Sequence, residues 1–228
     1  MTQALGSRPI VYLGPSLPLD EAQRLLDGDY RPPVKRGDLP HSFDGTIVMI
    51  DGEFGQSLSV SPNEVLRLLD QGTRIIGASS MGALRAAELY PYGMQGCGWI
   101  FDAYISGRLI ADDEVAVTYS PLDLTALTVP LVNVRAWLER LESTGQIDGP
   151  TGRLLLARAR RIFYADRTED CLFAEWELAI GADTLKRILL ASGGQITDIK
   201  AEDARRALAA AHELTTTMAR KEMRNGVR

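Results

Sequence analysis

A chain of 228 residues is long enough for one sizeable domain, or for a domain with a helical extension. Its formal charge of -5 argues against non-specific binding to nucleic acid, which requires a concentrated basic surface. No apolar segment reaches the length of a membrane span, and the first residues lack the apolar core of a secretory signal, so we expect a cytoplasmic protein without membrane contact.

Three strand-turn-helix units are predicted in the first half of the chain. The strands are expected at residues 10–13, 46–50 and 73–76, which are short apolar runs that end in turn residues. The second helix begins with a capping box, in which Ser61 is followed by Glu64 three positions later. Repeated units of this kind favour a small, mostly parallel sheet with flanking helices.

The second half of the chain is predicted to be helical. A helix at 99–105 and a strand at 115–117 come first, and helices are then expected at 131–142, 151–165, 171–180, 184–191 and 203–218. The predicted fold class is therefore α/β, with a helical C-terminal half packed on the sheet. We place an α/β core at 1–130 and a helical region at 131–228, both within one compact unit.

The segment GASSMGALRAAE, residues 77–88, joins the third strand to a helix. It approximates a nucleophile elbow, in which a serine is lifted off the end of a strand and small neighbours relieve the crowding. Ser80 holds the nucleophile position, although Ala78 replaces the usual glycine before it. Ser79 is a rival, because neighbouring hydroxyls differ in direction rather than chemistry. The structural alternative is a turn in which serine only caps the helix.

A serine nucleophile requires a group that accepts its proton. His212 is expected inside a helix and His41 precedes the elbow, so neither histidine is well placed. Lys35 is the only lysine among the first 185 residues, in a chain with 21 arginines and four lysines. Since a desolvating site can deprotonate lysine but not arginine, the residues favour a Ser80–Lys35 pair. The alternative is that one of the four lysines lies at position 35 by chance and has no catalytic role.

Other residues could support this pair. The backbone N–H of Met81 and an N–H of the loop from Gly14 to Ser16 are candidate oxyanion donors. For Ser16, a helix cap is the structural alternative. Asp51, which follows the second strand, and Asp38 could orient the lysine; for Asp51, a simple turn is equally consistent.

Further charged residues could contact a partner. Arg36 lies beside Lys35 and adds positive charge that disfavours a second cation. The acidic run Asp112, Asp113 and Glu114 indicates a turn or an acidic patch for a partner, because neighbouring residues rarely share one metal ion. Cys97, between two glycines, is interpreted as a buried small residue, with a catalytic thiol as the alternative.

Several segments together resemble the TfuA-like protein family. They follow one another in unbroken order and span residues 11–135. The segments are VYLGPSLP at 11–18, PPVKRGDL at 32–39, IDGEF at 50–54, ASSMGALRAAEL at 78–89, YGMQGCG at 92–98 and DDEVAV at 112–117.

The resemblance implies an accessory protein for backbone thioamidation, working beside a YcaO-type enzyme that activates a peptide amide with ATP. Members are thought to hydrolyse the C-terminal thiocarboxylate of a ThiS-like, ubiquitin-fold sulfur carrier and so release sulfide for that enzyme. They are also thought to help it engage its substrate peptide. The family's site is described as a Ser-Lys pair, which matches Ser80 and Lys35, and no metal or organic cofactor is implied. The alternatives are a non-catalytic adaptor of the YcaO complex and an unrelated Ser esterase or amidase.

Overall fold

A computed structural model describes residues 8–55 and 58–225, which divide into two compact units. The sheet unit comprises the described residues of Met1–Ile110 and Lys200–Arg228, and the helical unit comprises Ala111–Ile199. The boundary expected at residue 130 lies within the helical unit, because the chain passes between the two units at 110/111 and at 199/200.

A five-stranded parallel sheet organises the sheet unit. Its strands lie in the order β2-β1-β3-β4-β5 and run parallel at every pairing. In chain order they are β1 (Ile10–Tyr12), β2 (Asp29–Arg31), β3 (Thr46–Met49), β4 (Arg74–Gly77) and β5 (Gln95–Gly96). Because the chain moves outward from β1 in one direction and then in the other, β1 and β3 form the topological switch point of the sheet.

Helices account for most of the remaining structure. In chain order they are α1 (Leu19–Leu25), α2 (Pro62–Asp70), α3 (Met81–Leu89), α4 (Trp99–Ile105), α5 (Leu131–Ser143), α6 (Gly149–Arg161), α7 (Glu169–Ile180), α8 (Ala182–Ala191) and α9 (Ile199–Asn225). Short 3-10 helices lie at Tyr90–Tyr92, Asp112–Glu114 and Tyr164–Asp166. Among the residues with described structure, no helix is long and apolar enough to cross a membrane.

The core of the sheet unit forms between α1, α9 and one face of the sheet. Val11, Val48 and Ile76 from adjacent strands belong to the same buried cluster as Ala204 and Leu208 of α9. Strands covered on both faces read as continuous apolar runs, which explains why β1, β3 and β4 were visible in the sequence. Alanines along one face of α9 let that helix approach the sheet closely.

The core of the helical unit is built around two tryptophans. Trp137 of α5 stacks on Trp176 of α7 with ring centroids 5.4 Å apart, and both are essentially buried. The indole N–H of Trp176 donates to the Leu155 carbonyl. These contacts join α5, α6 and α7 into one packed cluster.

The α/β fold class, the parallel sheet and the helical C-terminal half are confirmed. The strand predicted at 115–117 is wrong: Val115 has helical backbone angles, and no strand pairing involves these residues. Val115 and Ala116 are buried in the helical unit, so their apolar character reflects core packing. The strands β2 and β5 were not predicted.

Candidate functional site

The residues that follow β1, β3 and β4 meet at the carboxyl edge of the sheet. Gly14 and Ser16 follow β1, Asp51 follows β3, and Ser79 and Ser80 follow β4. Open parallel sheets bind their ligands at this edge beside the switch point, which here lies between β1 and β3. The fold therefore brings together the predicted residues from three separate segments.

Asp51 is the centre of a buried polar network. One carboxylate oxygen accepts the N–H groups of Gly14, at 2.9 Å, and of Ser16, at 3.1 Å. The other accepts the Ser16 hydroxyl at 2.6 Å and lies 3.9 Å from the ammonium nitrogen of Lys200. Asp51 is 2% exposed and Lys200 is 3% exposed, so the ion pair is shielded from water. Both N–H groups of the loop that was expected to supply one oxyanion donor therefore donate to Asp51 instead.

Ser79 lies in a strained turn that the same network reaches. Its φ is +67°, and the N–H of Ser80 donates to the Ala78 carbonyl across it at 2.8 Å. These features define a γ-turn with positive φ, which is rare and strained. The fully buried Ser79 hydroxyl donates to the Ser16 hydroxyl at 2.9 Å. The turn is therefore tied through Ser16 to Asp51.

Ser80 precedes α3 but does not cap it with its side chain. Among the described residues, its hydroxyl has no hydrogen-bond partner, and the Met81 N–H donates to no acceptor. Ser80 is 3% exposed, whereas Ser79 has no exposed surface. The cap interpretation is contradicted for Ser80. It is also contradicted for Ser16, because α1 begins after Pro18 and the Ser16 hydroxyl donates to Asp51.

Glycines let α3 begin directly against the neighbouring strands. A Cβ at Gly82 would lie 1.8 Å from the Met49 carbonyl oxygen, and one at Gly77 would lie 2.1 Å from the Gly82 carbonyl oxygen. The Gly82 N–H donates to the Ile50 carbonyl at 3.2 Å. Gly82 therefore allows the first turn of α3 to pack directly against the end of β3.

Lys35 lies on a loop beside the site, but its side chain is exposed. Its N–H donates to the Asp38 carboxylate at 3.0 Å, and no hydrogen bond within the described chain joins its ammonium group to Ser80. The preceding residue, Val34, bridges to Gly52, where a Cβ would lie 2.7 Å from the Met81 side chain. Asp38 therefore holds the backbone of the Lys35 loop.

Lys200 is the site residue that the sequence analysis missed. It lies in the first turn of α9, which begins at Ile199 rather than at residue 203 as predicted. A usable signal was present, because Lys200 precedes Ala204 by four positions and Ala211 by eleven and so lies on their helix face. Both alanines are fully buried.

The remaining predicted residues lie elsewhere. Arg36 is exposed, and its N–H donates to the Leu58 carbonyl at 2.8 Å. Asp112 and Asp113 are exposed, whereas Glu114 is buried and paired with arginines of the helical unit. Only the first two carboxylates are therefore available to a partner, and such a contact stays a prediction.

Two titratable groups beside β5 have raised pKa values. Burial, reinforced by the negative charge of Asp203, raises the pKa of the Cys97 thiol to about 11. Burial also raises the pKa of Asp203 to about 6, although the carboxylate accepts the N–H groups of Trp99 and Ile100. Because a thiolate is the reactive form of cysteine, Cys97 is held in its unreactive form and acts as a packing residue.

Comparison with known proteins gives one family. The model of the family described as TfuA-like protein matches residues 51–168, just over half of the chain. The match includes Asp51, Ser79 and Ser80, whereas Ser16 and Lys200 lie outside it. A search of curated proteins found no match.

Proposed function

The chain belongs to the TfuA-like protein family, and on that premise we propose that it hydrolyses the C-terminal thiocarboxylate of a ThiS-like sulfur carrier. The sulfide passes to a YcaO-type enzyme that thioamidates a peptide, and this chain helps that enzyme engage the peptide. The main support for the proposal is that, within the described chain, the Ser80 hydroxyl and the Met81 N–H at the elbow have no hydrogen-bond partner.

The elbow supplies a nucleophile and an oxyanion donor. The Ser80 oxygen attacks the carbonyl carbon of the thiocarboxylate, and Lys35 accepts its proton once the bound carrier tail shields the amine from water. The oxygen of the tetrahedral adduct accepts the Met81 N–H, which lies at the start of α3 where the helix dipole favours negative charge.

Two bond cleavages complete the cycle. The C–S bond of the adduct breaks, and the leaving sulfur takes the proton from the Lys35 ammonium group to depart as hydrosulfide. Water then attacks the carrier–Ser80 ester, which returns the carrier as its carboxylate and restores the serine hydroxyl. The net reaction converts a thiocarboxylate and water into a carboxylate and hydrogen sulfide.

The position of the Lys35 loop supports its part in this reaction. Val34 bridges to Gly52, and Gly52 packs against the side chain of Met81, so the loop lies along the edge that carries the elbow. An exposed lysine on such a loop can reach the carbonyl once a carrier tail is bound, because catalytic contacts often tighten only with substrate.

Sulfide release from purified, thiocarboxylated carrier tests the proposal. We expect Ser80→Ala to lose at least about a thousandfold in rate and Lys35→Ala about a hundredfold or more, as for a nucleophile and a general base. Lys186→Ala is the matched control, since Lys186 is an exposed lysine of the helical unit.

The outcome also separates the alternatives. Equal rates for wild type, Ser80→Ala and Lys35→Ala would contradict the catalytic role and favour an adaptor. In that case, addition of each variant to the YcaO enzyme with free sulfide should restore thioamidation equally. Turnover of simple esters without turnover of the carrier would favour an esterase.

A further inference from the structure

The sheet unit contains a second lysine, buried behind the elbow. We propose that Lys200 is a positioning residue for hydrolysis at Ser80, acting through Asp51, Ser16 and Ser79. This inference rests on the proposed function, because it assigns a role at the same site. It concerns a residue 120 positions from Ser80, on a helix outside the segment that matches the family.

The Asp51–Lys200 pair is held in a place where neither charge is favourable alone. A buried carboxylate or ammonium group loses its hydration, and each needs a partner to remain charged. Lys200 also lies in the first turn of α9, where the helix dipole disfavours a cation. With the ammonium nitrogen 3.9 Å from the Asp51 carboxylate, each charge compensates the other.

An ionised Asp51 fixes the direction of the hydrogen bonds that follow. A carboxylate only accepts, so the Ser16 hydroxyl donates its proton to Asp51 at 2.6 Å. The Ser16 oxygen is then left as an acceptor, and it receives the Ser79 hydroxyl at 2.9 Å. Loss of the negative charge would remove the requirement for this direction.

The Ser79 hydroxyl in turn anchors the strained turn. A residue in an unfavourable backbone conformation keeps it only where its surroundings hold it there. Ser79, with φ at +67°, is held by its bond to Ser16 and by the bond from the Ser80 N–H to the Ala78 carbonyl. This turn sets the direction of the Ser80 hydroxyl, so the charge of Lys200 supports the geometry of the nucleophile.

Charge-removing variants test the role of Lys200. We compare wild type, Lys200→Met, Asp51→Asn and the double variant, with Lys186→Met as the exposed control. Steady-state sulfide release gives kcat and KM separately, and its pH profile reports the proton acceptor. Amide hydrogen exchange of the peptide covering residues 77–84 reports the turn directly, without substrate.

We expect Lys200→Met to lower kcat about 10- to 100-fold with little change in KM, because a misplaced nucleophile loses rate rather than binding. Exchange at residues 77–84 should be faster in the same variant. The losses in stability and in kcat should be smaller in the double variant than the sum of the losses in the two single variants, since it leaves no unpaired buried charge. If Lys200→Met alone fails to fold, the double variant can therefore be measured in its place. Lys186→Met should match wild type.

Two results would overturn the inference. The first is a Lys200→Met variant that equals wild type in kcat and in exchange. The second is lost activity with unchanged exchange and an altered pH profile, which would make Lys200 the proton acceptor itself. If the wild type releases no sulfide, the proposed function fails separately; unchanged exchange in Lys200→Met would then also show that Lys200 does not hold the turn.

Discussion

Two carboxylates, one in each unit, are equally buried but differently paired. Asp51 of the sheet unit and Glu114 of the helical unit are each 2% exposed. Glu114 receives two hydrogen bonds from the guanidinium group of Arg135, at 2.7 and 2.8 Å, and one from Arg160 at 3.3 Å. The Asp51 network instead ends at the hydroxyl of Ser79.

The difference shows what a buried carboxylate can do in each unit. Arginine keeps its proton and offers a rigid fork, so the Glu114 cluster is a closed clamp that joins its 3-10 helix to α5 and α6. Hydroxyl groups both donate and accept, so the network around Asp51 extends to the strained turn beside Ser80. Burial and pairing alone therefore do not distinguish a purely structural carboxylate from one whose network reaches the candidate site.

Removal of the Glu114 carboxylate should have the largest effect on stability. Glu114→Ala leaves the mostly buried Arg135 without its counter-charge, and breaking a buried pair in this way costs about 3–5 kcal/mol. Urea unfolding followed by tryptophan fluorescence measures the loss. The exposed Glu177→Ala, in α7, should change the free energy of unfolding by less than about 0.5 kcal/mol. Sulfide release per folded molecule should stay at the wild-type level; a lower rate would show that the two units are coupled.

A third buried carboxylate, Asp203, tests the effect of pairing with a cation that remains exposed to water. The guanidinium group of Arg206 lies 3.9 Å from the Asp203 carboxylate but is mostly exposed, and burial raises the pKa of Asp203 to about 6. The folded protein therefore binds a proton more tightly than the unfolded chain, and the stability that this proton confers is lost as pH rises through about 6.

The Asp203→Asn variant cannot titrate and should escape that loss. Relative to wild type, its free energy of unfolding should rise by about 2–3 kcal/mol between pH 4 and pH 7. Urea unfolding at intervals of one pH unit measures the difference. If the free energy of unfolding changes with pH in the same way in both proteins, other contacts compensate the burial of Asp203.

Ser16→Ala should have the smallest effect on stability and a clear effect on rate. It leaves the buried Ser79 hydroxyl without its acceptor and removes one hydrogen bond from Asp51, which costs about 1–3 kcal/mol in the free energy of unfolding. If Ser16 positions the turn, kcat for sulfide release should fall about 10- to 100-fold. Ser143→Ala, at the exposed end of α5, is the control. A variant that loses stability but keeps the wild-type kcat would show that the Asp51 network, like the Glu114 cluster, has only a structural role.

Local patterns predicted the sheet but not its edges. The apolar runs of β1, β3 and β4 are visible because these strands are covered on both faces, and α4 was predicted at its observed bounds. The edge strand β2 is polar and partly exposed, and β5 has only two residues, so neither carries an apolar pattern.

The candidate site was predictable where residues follow strand ends. Ser16, Asp51 and Ser79 converge because parallel strands end at the same edge, which follows from their positions in the sequence. Lys200 reaches that edge from a distant helix, and only tertiary packing brings it there. The burial of Glu114 was missed for the same reason. The two arginines that pair with it lie 21 and 46 residues further along the chain, so the acidic run was expected to lie at the surface.

A covalent intermediate on Ser80 is the most direct test of the proposed hydrolysis. The protein is mixed with thiocarboxylated carrier, quenched within the first turnover, digested and analysed by mass spectrometry. We expect the C-terminal segment of the carrier to be esterified to Ser80, together with a burst of sulfide, and Ser80→Ala to form no adduct. Sulfide release without an adduct, or an adduct on Ser79, would contradict the proposed mechanism.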